Sequence, residues 1–103
     1  MTINVANVTT AGNIVYPSVG NTAITYLALC NYGVSNVTAN LYVVPNGQTL
    51  ANSNMLVSNL NIQANDTYFL YIAAEKIILG DGDSVQAIVT ANTVTSTTSY
   101  TSI

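Results

Sequence analysis

The chain has no histidine and no tryptophan, one cysteine, Cys30, and one basic residue, Lys76, set against the acidic Asp66, Glu75, Asp81 and Asp83. Each shortage removes a class of chemistry. Without His there is no imidazole to activate Cys30 or a hydroxyl as a nucleophile, or to serve as a general base. A lone Cys cannot form an internal disulfide, and its setting in the apolar run Tyr26-Leu27-Ala28-Leu29-Cys30 predicts a small buried thiol. A single cation cannot neutralise a row of phosphates, so nucleic acid is excluded as a partner. Scattered carboxylates without His or further Cys make no recognisable metal set. The chain therefore reads as a non-enzyme, with no catalytic, cofactor-binding or metal residues assigned and no cofactor expected.

Long hydrophobic runs are missing too. Polar or charged residues, most often Asn, Thr or Ser, interrupt the apolar stretches well short of the roughly 18 to 20 residues of a membrane-spanning helix, so no membrane partner is expected. The first residues, Met1-Thr2-Ile3-Asn4-Val5, lack the basic and apolar regions of a secretory signal, which points to a cytoplasmic origin.

What remains is half hydrophobic and only 5% charged, against roughly 25% charged in an average soluble protein. Fourteen Asn and fourteen Thr supply polarity instead. They make a surface that hydrogen-bonds without repelling its neighbours, and a net charge of −3 gives little colloidal protection. That combination suits a protein packed beside other copies. The sequons at Asn7, Asn36 and Asn65 are expected by chance in such a chain.

The dominant hydrophobic period is two. Val37, Ala39, Leu41 and Val43 alternate with Thr38, Asn40 and Tyr42; Val85, Ala87 and Val89 with Gln86 and Thr90; Leu60 and Ile62 with Asn59 and Asn61; Ile3 and Val5 with Thr2 and Asn4. Residues 24–30 are apolar on both faces, which predicts a central strand covered on both sides. Turn signals recur at 11–13, 19–21, 31–33, 45–47, 64–66 and 80–83. Strands are predicted at 2–9, 13–16, 22–31, 36–44, 55–62, 67–72, 76–79, 84–91 and 93–102, with a helical turn allowed only at 73–76 and an exposed loop at 45–54. The expected fold is all-β: an antiparallel two-sheet β-sandwich, immunoglobulin-like or jelly-roll, formed by one domain over residues 1–103 with an N-terminal extended segment over about residues 1–20.

Four features invite a functional reading. Gly80-Asp81-Gly82-Asp83 resembles part of a calcium loop, but Asp and Gly also build tight turns, and the other ligands are missing. Asp66 and Glu75 could be paired carboxylates of a glycosidase, although little else is present to orient a sugar. Among seven Tyr, Tyr42 lies on the polar side of its strand and is the best exposed contact candidate, while Phe69 and Tyr71 share one face and Tyr68 the other. The Thr/Ser-rich segment 93–103 lacks both Lys and Pro and predicts an edge strand free to pair.

The succession "LALCNYG", "LYVVPNGQTLANSNML", "LNIQANDTYFLY", "AEKIILGDGDSVQAIV" and a Thr/Ser-rich last strand, over about residues 22–103, resembles a group of small tailed-phage virion proteins. The resemblance implies a virion structural protein, foremost a capsid decoration or cement protein bound to the major capsid protein lattice. Its alternatives are a tail, neck or collar component, or a receptor- or glycan-binding module of the virion. Implied with it are partnership with the major capsid protein or other virion proteins, a homo-oligomer of which a trimer is one form, and residence in the virion after synthesis in the host cytoplasm.

Overall fold

The computed structural model of the chain describes residues 2–70 and 77–103. Among the described residues are nine strands: β1 (Thr2–Val8), β2 (Asn13–Pro17), β3 (Thr22–Asn31), β4 (Val37–Val44), β5 (Met55–Ile62), β6 (Asp66–Leu70), β7 (Ile77–Leu79), β8 (Ser84–Val89) and β9 (Val94–Ser102). A single 3₁₀ turn, Asn52–Asn54, interrupts the exposed 45–54 loop. The helical turn considered for residues 73–76, the end of the 67–72 strand, and Glu75 fall outside the described residues. Among the described residues no helix is long and apolar enough to cross a membrane.

Two antiparallel sheets pack face to face. One has the order β1-β9-β3-β6, with β7 pairing the same side of β3 beyond β6; the other has the order β2-β8-β4-β5. The connections β1–β2, β2–β3, β3–β4, β5–β6, β7–β8 and β8–β9 all cross between the sheets. If β6 and β7 are counted as one edge, this is the eight-stranded jelly-roll order, one of the two sandwich forms predicted. Residues 2–17 contribute one strand to each sheet. The inward positions fill the core with Val8, Val15, Ile24, Leu27, Leu29, Leu41, Leu79, Val85 and Val94, each at most 1% exposed.

Four expectations are corrected. The C-terminal strand is not an edge: β9 lies between β1 and β3, pairing with both almost throughout its length. Its hydroxyl-rich composition misled because β9 is buried on one side only, where Ser96 and Thr98 are small enough to sit opposite larger residues. Tyr42 is 6% exposed, not a surface ring. The β4–β5 register shifts twice, so simple alternation does not carry through the pair, and both Tyr42 and Val44 are buried. Strand β3 is central but covered on one face only, leaving Tyr26 half-buried on the other. For the same reason Cys30 is half-buried instead of enclosed.

Candidate interaction surface

Asn31 closes the inner row of β3 and is fully buried. Its Nδ2 donates to the carbonyls of Ser35 (2.8 Å), Ile62 (3.1 Å) and Gln63 (3.3 Å). Its Oδ1 accepts from the Gly33 N–H (3.1 Å) and the Thr93 hydroxyl (2.9 Å). One amide thus satisfies groups from three connecting segments, which accounts for a buried polar residue beside Cys30 without any ligand.

The carboxylates of the 80–83 turn are likewise engaged in construction. Asp83 accepts from the Gly80 N–H (2.9 Å) and the Asn46 N–H (2.8 Å), and Asp81 accepts from the Gly20 N–H (2.8 Å). They tie the β7–β8 turn to the β2–β3 and β4–β5 connections. Gly82 is required in this knot: its φ is +84°, and a Cβ there would lie 2.5 Å from Asn46 Cγ. The calcium-loop residues are therefore a three-loop clip, with backbone N–H groups in the place where a cation would compete. Among the described residues no group of three or more His, Cys, Asp or Glu could hold a metal. Asp66 accepts from the Thr67 N–H (2.8 Å) at the start of β6, and its suggested partner Glu75 is outside the described residues.

A cleft of about 330 Å³ opens at one end of the sandwich, lined by Asn4, Tyr16, Pro17, Val19, Thr22, Tyr100 and Ser102. The rings of Tyr16 and Tyr100 pack with centroids 4.5 Å apart. Its lining carries no charge.

A second candidate is the outer face of the β1-β9-β3-β6 sheet. Strand register places Ile3, Ser99 and Tyr26 in one row, Val5, Thr97, Ala28 and Phe69 in the next, and Asn7, Thr95, Cys30 and Thr67 in a third. None of these residues is charged. Ile3 is 65% and Val5 69% exposed, Phe69 is 43% exposed, and Ile78 on β7 extends the apolar character at 60%. Tyr26 and Phe69 pack as a tilted ring pair 6.0 Å apart. At usual strand spacings the three rows span roughly 300 Å².

Sequence reasoning identified the alternation in β1 but not its phase, because Ile3 and Val5 point outwards while Asn4, Ala6 and Val8 point inwards. Val8 is fully buried and Asn4 Nδ2 donates to the Val15 carbonyl (2.7 Å), which holds that phase. The available signal was the Val8 to Asn13 turn, whose Asn13 side chain bridges the Thr9 N–H and the Asn7 carbonyl. Of the aromatic candidates, Phe69 reaches the outer face, Tyr68 packs against the core, and Tyr71 is outside the described residues.

Fold and surface together define a jelly-roll β-sandwich presenting a neutral, hydroxyl-studded sheet face with apolar residues at both margins. No family model matches the chain, and no curated protein or solved structure is significantly similar to it.

Proposed function

We infer that the protein is a structural component of a phage virion, and that it decorates the head by binding the major capsid protein lattice. The observation that carries this reading is the uncharged outer face of the β1-β9-β3-β6 sheet, with Ile3, Val5, Phe69 and Ile78 exposed upon it. A neutral face can lie against a partner without stranding a charge, and its Thr and Ser hydroxyls can find new acceptors there. The resemblance of residues 22–103 to small tailed-phage virion proteins points the same way. In mechanical terms the sandwich acts as a rigid clamp: copies bridging adjacent shell subunits oppose the outward pressure of packaged DNA. Many weak contacts on a repeating lattice then add up to firm attachment.

The test is to separate heads from tails on a gradient and count copies of the chain in each by quantitative mass spectrometry. Hundreds of copies with heads support decoration. A few copies with tails would move the protein to a neck, collar or tail role, and absence from both would refute the virion reading. Heads lacking the chain should also fail at lower temperature and milder osmotic shock.

The 330 Å³ cleft favours a second reading, glycan binding by the virion. Its Tyr100 ring and neutral Asn4 and Ser102 side chains suit a sugar better than a charged ligand. Binding to a glycan array that is lost on Tyr100→Ala, with the fold retained, would establish it.

A further inference from the structure

The two sheets have four edges, and three of them are guarded against pairing with another chain. β2 ends in Pro17 and shifts register between Ile14 and Tyr16. β5 shifts register twice against β4 and holds Asn59 at a φ of 53°. The β6 and β7 edge opens with the charged Asp66, and Glu75 and Lys76 stand in the sequence between its two described pieces. Bulges, proline, charge and short length are the devices by which proteins block edge-to-edge association.

β1 has none of them. It pairs with β9 in unbroken register over seven residues, from Thr2 with Tyr100 to Val8 with Val94, and contains no proline and no charge. Val5 and Ile3 are, in that order, the most exposed large hydrophobics in any described strand. The open edge and the bare apolar side chains thus coincide on one strand.

We propose that β1 is a self-association strand, pairing antiparallel with β1 of a second copy to make one sheet continuous across two protomers. A twofold axis at Val5 sets Val5 against Val5 and Ile3 against Asn7, so that the apolar side chains of both copies cover one another. A second copy fits better than a charged partner strand because the edge offers no opposite charge to meet one. Seven paired residues bury only a few hundred Å² per copy, below the roughly 800 Å² per partner of a standard interface. The isolated pair is therefore weak, in the micromolar range or above, and strengthens where copies are already held side by side. The inference is independent of the virion reading, since purified chain in solution either associates through β1 or does not.

Sedimentation equilibrium of the full chain should show a monomer–dimer equilibrium. Val5→Lys, which sets two ammonium groups opposite each other on the axis, should weaken it at least about tenfold while leaving thermal unfolding of the monomer in place. Amide hydrogen exchange of the wild type supplies a readout that needs no variant: exchange in residues 2–8 should slow as concentration rises. A wild type that stays monomeric to about 1 mM would overturn the proposal, since that concentration already corresponds to very weak binding. So would association that Val5→Lys leaves unchanged, or exchange that slows only outside β1.

Discussion

β1 and β9 lie side by side in one sheet, yet they use their side chains in opposite ways. β1 is the more hydrophobic strand and turns Ile3 and Val5 to the outside, whereas β9 is a run of Thr and Ser that buries Ser96 and Thr98 completely. Position in the sheet, not side-chain polarity, sets what each strand can tolerate. β9 is flanked on both sides, so its backbone groups are satisfied and its small hydroxyls need only fit between inward neighbours such as Leu27 and Leu29. β1 is an edge whose phase is fixed at its last residue by the buried Val8, and the outward side chains follow from that.

The largest expected effect comes from placing a charge on each face of β9. Ser96→Asp would bury a carboxylate where the present hydroxyl, fully buried, donates to the Ala6 carbonyl at 3.4 Å. It should cost about 4 kcal/mol or more by denaturant unfolding, whereas Thr97→Asp on the open face should cost about 1 kcal/mol or less. Similar losses at both positions would show that the two faces do not differ as described.

Within β1 the matching contrast is Val8 with Val5. Val8→Ala should lose about 2 kcal/mol of stability, and Val5→Ala about 0.5 kcal/mol or less when measured on the monomer at high dilution. Reversed magnitudes would mean that β1 has the opposite phase.

The smallest effect sharpens the account of β9. Thr98 Oγ1 is the buried side-chain oxygen that finds no hydrogen-bond partner among the described residues. Thr98→Val keeps the branched shape and removes the stranded hydroxyl, so it should raise stability by about 1 kcal/mol, seen as a higher midpoint in urea. A loss of stability would point to a hydrogen bond made by that hydroxyl.

Strand positions were legible because period-two alternation and turn residues are local properties: the segments 22–31 and 55–62 coincide with β3 and β5. The sandwich class followed from the need to bury one face of each sheet. Strand order was not legible, because it depends on which edges meet across the fold, and so the Thr-rich β9 passed for an edge. The bulged β4–β5 pairing hid the burial of Tyr42, since the two register shifts leave no sequence mark as plain as Gly or Pro. The candidate surface was foreseen only as a neutral character of the whole chain. Its location depends on the phase of β1, which Val8 and the Asn4 bond to Val15 decide through tertiary contacts.

The most direct test of the neutral β1 sheet as the working surface is occupancy of heads prepared without the chain, after adding wild type or Thr97→Lys protein at equal concentration, since Thr97 lies in the middle of that face and away from the β1 edge. Dense occupancy by wild type is expected, with a large loss for the variant while its fold stays intact by circular dichroism. Equal occupancy by the two proteins, or none by either, would contradict it.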